Sequence, residues 1–280
     1  MNIHAEKLDY LVIGHITRDL IDGSTVPGGT VVYSALCAHN LEQKTGVITA
    51  CDAGCRPKSL EHIPVYRIPS YGTTTFENLE TESGRKQILH KVAKPIGCED
   101  LPALASPPKI VHLGPVADEL DAGIVDIFPN SFIGITPQGW MRQKDKNDIV
   151  QYQEWKSADL LLPRADAVVL SIEDVQGDRK LIEQYAGKCK VLALTEGYHG
   201  ALVYWNGDMR RFSAPSVPST DATGAGDIFA AVFFSTLYRS NDPWASGKLA
   251  VSIASDSVSR VGIKGVPDAD AMRALQIEII

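Results

Sequence analysis

Short, almost uninterrupted apolar runs recur along the chain: Leu8-Asp-Tyr-Leu-Val-Ile-Gly14, Thr45 to Ala50, Ile110-Val-His-Leu113, Phe132-Ile-Gly-Ile-Thr136, Ala167-Val-Val-Leu-Ser171 and Val191-Leu-Ala-Leu-Thr195. Each is bounded by polar or turn residues, and none shows polar alternation. That is the pattern of strands covered on both faces. Thr30 to Leu41 has the small and apolar spacing of a helix, opened by Pro27-Gly28-Gly29. The β–α–β order that results predicts a parallel sheet with crossover helices. Asp174 to Tyr185 reads as a further helix with Leu181, Ile182 and Tyr185 as its apolar stripe. Ala201–Trp205 and Met209–Phe212 flank Asn206-Gly207, a strong hairpin signal. Helices over Ala225–Tyr238, Pro243–Arg260 and Asp268–Gln276 are expected to finish the chain.

The stretch from about Ile63 to Val92 differs. Val65-Tyr-Arg-Ile, Thr73 to Leu79 and Gln87-Ile-Leu-His alternate polar and apolar residues, with turn signals at Pro69-Ser70 and Ser83-Gly84. Alternation means one wet face and one covered face, so a small antiparallel sheet standing off the core is expected, placed as a lid. The chain of 280 residues is therefore read as one α/β domain, 1–280, with a mostly parallel central sheet flanked by helices. The lid is drawn from about 15–28 and 63–93.

Composition narrows the partners. A net charge of −7 argues against non-specific nucleic-acid binding. No apolar segment reaches membrane-spanning length, and the N-terminus lacks the basic and apolar regions of a signal peptide. Cys37, Cys51, Cys55, Cys98 and Cys189 are an odd set without regular spacing, as in reduced thiols. Cys51-Asp-Ala-Gly-Cys55 has no second pair at zinc spacing. A cytoplasmic location is expected.

The chemistry concentrates in Asp221-Ala-Thr-Gly-Ala-Gly-Asp227, followed at once by the apolar run Ile228 to Phe234. Glycines let backbone N–H groups approach an anion, and a helix start adds unpaired donors and partial positive charge. A carboxylate there suits phosphoryl transfer to a hydroxyl, with Asp227 as base. The plainer alternative is a tight turn with a favourable charge on the helix dipole. On that same dipole argument, Asp227 should be a weak base. Two commoner phosphate signatures are absent: there is no Gly-x-x-x-x-Gly-Lys-Ser/Thr, and Gly14-His-Ile-Thr-Arg-Asp19 is not Gly-x-Gly-x-x-Gly.

Gly28-Gly29 opening a helix, Thr195-Glu-Gly-Tyr-His-Gly200 after a strand, and Asp221 to Asp227 occur in an order that resembles the ribokinase-like (PfkB) carbohydrate kinases. The resemblance implies transfer of the γ-phosphate of ATP to an alcohol beneath a β-lid. It further implies Asp227 as catalytic base and Thr223, Gly224, Ala225 and Gly226 as anion hole. Asp19, Gly28 and Gly29 would meet the substrate, and Thr195, Gly197 and Gly200 would lie beside the nucleotide. Departures are also visible. Thr30-Val-Val-Tyr-Ser34 stands where the family usually has an Asn that touches the sugar, and Ser171-Ile-Glu-Asp174 stands for an Asn-x-x-Glu that orders water around magnesium. Asp174 keeps a carboxylate, beside Glu173, that could serve Mg²⁺ through water. The alternative for both acids is a solvated helix start.

Four segments are similar to the myo-inositol kinase branch: Gly14 to Asp19, Gly28 to Ser34, Thr73-Thr-Thr-Phe76 and Gln138-Gly-Trp-Met-Arg142. In that reading Gln138 and Arg142 reach a polyol, which needs both donors and acceptors around its ring. Otherwise Gln138 is a turn residue and Arg142 a surface cation. The rivals are a nucleoside kinase, with Phe76 and Tyr33 as an aromatic platform, and a non-catalytic small-molecule sensor. Open lid edges leave room for a homodimer through the lid.

Overall fold

The computed structural model describes residue 3 and residues 7–21, 23–81 and 84–279. Ser83 of the expected turn, and most of the segment before Lys7, lie outside them. In chain order the elements are β1 (Tyr10–Ile13), β2 (Thr17–Ile21), β3 (Ser24–Gly28), α1 (Thr30–Asn40), β4 (Thr45–Cys51), β5 (Val65–Pro69), β6 (Thr74–Thr81), β7 (Gly84–Lys91), β8 (Ile110–Leu113), β9 (Phe132–Ile135), β10 (Arg142–Lys144), β11 (Val150–Tyr152), α2 (Ala158–Leu161), β12 (Ala167–Ser171), α3 (Arg179–Ala186), β13 (Val191–Thr195), β14 (Ala201–Trp205), β15 (Asp208–Phe212), α4 (Ala225–Ser240), α5 (Pro243–Ser257) and α6 (Ala269–Ile279).

The main sheet runs β15-β14-β13-β12-β9-β8-β1-β4-β5. All its pairings are parallel except those of the β14–β15 hairpin, which joins β13 antiparallel. Residues of one strand feed opposite faces, as the two-residue repeat requires. Tyr10 and Val12 of β1 enter the core packed by α1, α4 and α5, whereas Leu11 and Ile13 enter the core on the other side. Both faces are therefore covered, which is why the strands read as continuous apolar runs. α4 lies tight on the sheet. A Cβ at Gly134 of β9 would come within 2.5 Å of the Phe234 ring.

The lid is a four-stranded sheet ordered β3-β2-β6-β7. Its β2–β3 and β6–β7 pairs are antiparallel, but β2 and β6 run parallel because the chain visits the main sheet between them. Val65–Pro69, expected in the lid, instead pairs parallel with β4 as the last strand of the main sheet. Its alternation reflects an edge position with one wet face. Phe76 and Leu89 on the lid pack against Val116, with Ala117 and Val150 beside them, and so seat the lid on the loop after β8 and on β11.

The helix expected over Asp174–Tyr185 starts later, at Arg179. Gln176 and Gly177 have φ of 52° and 79°, which breaks the helical path. Asp178 then accepts from the N–H groups of Lys180 and Leu181 as the cap. The connections after β8 and β9 contain only short 3₁₀ turns, the β10–β11 hairpin and the single turn of α2, where longer crossover helices were expected.

Candidate active site

The carboxyl ends of the parallel strands point to one edge of the sheet, where open α/β folds bind ligands. The predicted residues gather there from separate loops. β1 leads through His15 to Asp19, β9 to Gln138 and Arg142, β12 to Asp174, and β13 to Gly197. α4 presents Asp227 in its first turn.

Gly224 caps α4 with φ 79°, in the left-handed region. A Cβ there would fall 2.2 Å from the Tyr33 ring, so glycine is needed for both conformation and packing. Gly226 differs: no atom lies within 4 Å of its Cβ position, so this side of the helix start faces open space. The Ala225 N–H, expected as an anion donor, is bonded to the Ala222 carbonyl at 3.2 Å. The N–H groups of Gly226 and Asp227 have no acceptor among the described residues, as expected of a helix start. Thr223 is exposed, and its N–H donates to Asp221 Oδ1 at 2.9 Å; Asp221 Oδ2 accepts from the Gly262 N–H at 2.8 Å. Asp221 thus pins the glycine turn to the segment after α5.

Asp227 is half-buried, and its pKa is pushed up from 3.8 to about 6. Desolvation is the main cause. A hydrogen bond from Thr30 and the charge of Arg142 oppose it, while the charges of Asp174 and Asp19 add to it. The expectation of a weak base is therefore corrected: burial and two carboxylates outweigh the helix dipole. The Ser34 hydroxyl donates to the Asp227 carbonyl at 3.1 Å, so α1 fixes both the backbone and the side chain of this residue. Thr30 and Ser34 went unassigned in the sequence, although their place just behind Gly28-Gly29 was a usable signal.

Gln138, Arg142 and Asp174 meet as one cluster. Gln138 Nε2 donates to Asp174 Oδ1 at 3.2 Å, and the Ser171 N–H donates to Oδ2 at 2.8 Å. Burial raises the Asp174 pKa, against the lowering effects of Arg142, the Ser171 N–H and Gln138. Arg142 is half-buried rather than a surface cation, and Asp174 sits in a turn after β12 rather than at a helix start. Glu173 is exposed.

Asp19 accepts from the Thr17 hydroxyl at 2.9 Å. A Cβ at Gly28 would strike Asp19 Oδ2 at 2.3 Å, and one at Gly29 (φ 87°) the His15 carbonyl oxygen at 2.7 Å. The glycine pair thus lets the Asp19 carboxylate lie against the start of α1. Thr195 is half-buried and Gly197, with φ 58°, is exposed at the mouth of the same edge. Gly200 faces the other way: its Cβ would come 2.0 Å from the Phe212 carbonyl oxygen, so close packing on β15 accounts for it. Phe76 and Tyr33 are 4% and 3% exposed and offer no free ring face, which removes the aromatic platform a nucleoside kinase would need.

The pfkB family carbohydrate kinase profile matches residues 146–269. Among solved structures, a pyrophosphate-dependent kinase of the ribokinase family, complexed with a pyrophosphate analog and myo-inositol, superposes with a TM-score of 0.78 at 22% identity, covering 97% of this chain and 100% of that one. Over that stretch and in its fold the chain is similar to the ribokinase-like PfkB carbohydrate kinases. An Arabidopsis thaliana ribokinase complexed with ribose and ATP superposes with a TM-score of 0.69 at 18% identity, covering 97% and 99% of the two chains. The Arabidopsis thaliana probable fructokinase-5 is 25% identical over 169 residues, 60% of this chain and 51% of that protein. The chain spans about half the length of the curated relatives it matches. Among the described residues no helix is long and apolar enough to cross a membrane.

Proposed function

We propose that this chain is a PfkB-type kinase that transfers a phosphoryl group to a hydroxyl of a small polyol or sugar, with myo-inositol as the favoured acceptor. The carrying observation is Asp227, raised to about 6 in pKa, beside two helix-start N–H groups without an acceptor among the described residues and within the charge field of Arg142, Asp174 and Asp19. The acceptor hydroxyl lies against Asp227, which takes its proton as the O–P bond forms. A pKa near 6 leaves the carboxylate ionised at neutral pH yet basic enough to accept that proton. The amides of Gly226 and Asp227 stabilise charge on the transferring group. Asp19, Gln138 and Arg142 hold the remaining hydroxyls, and the lid excludes water. Two copies of the chain would pair along the open β3 edge of that lid.

Mg²⁺ is compatible with these residues in one way only. No group of three or more His, Cys, Asp or Glu side chains is arranged to hold a metal among the described residues. Asp174 Oδ1 and Oδ2 each accept one protein hydrogen bond, which leaves lone pairs for metal-bound water. Asp174 would therefore orient the hydration shell of an ion carried by the donor phosphates.

The first donor reading is ATP, which the similar Arabidopsis thaliana ribokinase binds together with ribose. Inorganic pyrophosphate is the second reading, favoured by the similarity over nearly the whole chain to a pyrophosphate-dependent kinase. The test is a matrix of ATP and pyrophosphate against polyols, sugars and nucleosides, with Mg²⁺, read by phosphorylated product. Phosphorylation of a polyol with either donor supports the proposal. Ligand binding without product, or product only from nucleosides, sinks it.

A further inference from the structure

A cleft of about 340 Å³ opens beside the lid base, and neither Asp227 nor Asp174 lines it. Arg18, Cys55, Arg56, Lys58 and Ser59 are among its lining residues. Cys55 is 8% exposed and Cys51, four residues earlier at the end of β4, is fully buried. The two thiols interact with each other, and the Cys55 sulfur also interacts with Thr73. Cys51 Sγ lies 3.7 Å from the Cys55 carbonyl oxygen. The two cysteines thus meet across one short turn, and of the two only Cys55 lines the cleft. Arg56 and Lys58 are exposed at its rim, and Arg18 lies inside, paired with Asp52 at 2.9 Å. Among the described residues the Ser59 hydroxyl oxygen is buried without a hydrogen-bond partner, a polar group they leave unsatisfied. A buried dithiol on an ordinary structural loop has no need of a cationic, partly unsatisfied cavity beside it.

We propose that this cleft is a thiol-exchange site for anionic low-molecular-weight disulfides, with Cys55 as the attacking sulfur, Cys51 as the resolving sulfur, and Arg56, Lys58 and Arg18 as the cationic frame. The Cys55 thiolate attacks one sulfur of the bound disulfide. A Cys55 mixed disulfide forms, the S–S bond of the small molecule breaks, and one small thiol leaves. Cys51 then loses its proton and attacks Cys55 Sγ, expelling the second small thiol. Two protein thiols are oxidised to one disulfide, and one small disulfide is reduced to two thiols. The electrostatics agree with this order. The hydrogen bonds from Cys51 and Thr73 and the charge of Arg18 bring the Cys55 thiol down to about 7, where the reactive thiolate is populated at neutral pH. Thiol–thiol hydrogen bonding and burial push Cys51 up instead.

The bond would close a loop around Asp52, whose carboxylate accepts from Arg18 at 2.9 Å and from Thr73 at 2.8 Å. Those two residues stand next to Asp19 and at the start of β6, so oxidation would loosen the base of the lid.

The test exposes the full chain to glutathione disulfide and maps each cysteine by mass spectrometry over time. Wild type is expected to lose two hydrogens at Cys51 and Cys55 ahead of any change at the exposed Cys98. Cys51→Ser should trap the adduct on Cys55, while Cys55→Ser should leave Cys51 unmodified. The pair Arg56→Glu and Lys58→Glu should slow glutathione disulfide about tenfold and leave the neutral hydroxyethyl disulfide unaffected. Faster reaction at Cys98, an adduct on Cys51 in the Cys55→Ser variant, or equal slowing of both disulfides would overturn the proposal.

Discussion

Replacing Asp227 by Asn should make the protein more stable and nearly inactive at once. The folded chain holds the Asp227 proton more tightly than the unfolded chain does, because the pKa rises from 3.8 to about 6 on folding. The contribution of this group to stability is therefore full below pH 3.8, declines as the pH climbs through 6, and is lost above that. At about 1.4 kcal/mol per pH unit, ionisation costs the folded protein up to about 3 kcal/mol at neutral pH. Asn has nearly the same shape, can still accept from Thr30, and does not ionise. Urea unfolding at pH 7.5 should show Asp227→Asn to be about 1–3 kcal/mol more stable than wild type. The gap should close below pH 4, where both side chains are neutral. The same preparation, assayed with the preferred donor and acceptor, should have lost about 10²–10⁴-fold in turnover. A variant no more stable than wild type at pH 7.5, or a gap that persists in acid, would refute the account of a desolvated carboxylate held near two others. Near-normal turnover would remove Asp227 from the chemistry.

Further expectations follow from the same geometry. The ascending limb of kcat/KM against pH should lie near the Asp227 pKa of about 6, and Arg142→Gln should move it to higher pH because a cation that favours the carboxylate is removed; a limb that does not move refutes the coupling. Gly226→Ala adds a methyl group into open space, so thermal unfolding should show unchanged or up to about 1 kcal/mol greater stability, while turnover falls because the methyl crowds the anion site. Full activity in that variant would mean the phosphate passes elsewhere. Gly200→Ala should lose at least about 2 kcal/mol in urea unfolding, since φ is 91° and the new Cβ meets the Phe212 oxygen at 2.0 Å.

Much of this arrangement is legible in the chain. Apolar runs such as Ala167–Leu170 and Val191–Leu194 are buried on both faces and leave no other reading than a covered sheet. Asn206-Gly207 marks its hairpin because both residues take positive φ. The less legible parts depend on distant partners. Val65–Pro69 alternates like a lid strand, and only its pairing with β4 shows that the wet face belongs to a sheet edge. The helix dipole beside Asp227 is local and visible in the sequence, whereas the burial that chiefly raises its pKa, and the charges of Asp174 and Asp19 that add to it, come only with the tertiary fold. Gly200 looks like a nucleotide-loop glycine until Phe212 is placed against it.

The grip of α1 on Asp227 has an evolutionary corollary. Thr30 and Ser34 sit directly behind the glycine turn proposed to meet the acceptor, and they also bond to the side chain and carbonyl of Asp227, the proposed base. Any drift in that helix that retunes which alcohol fits would alter the proton affinity of the base as well. If Asp227 is the base as proposed, selectivity and reactivity share the same few side chains, so new acceptors should arise more readily through changes in the lid than in α1.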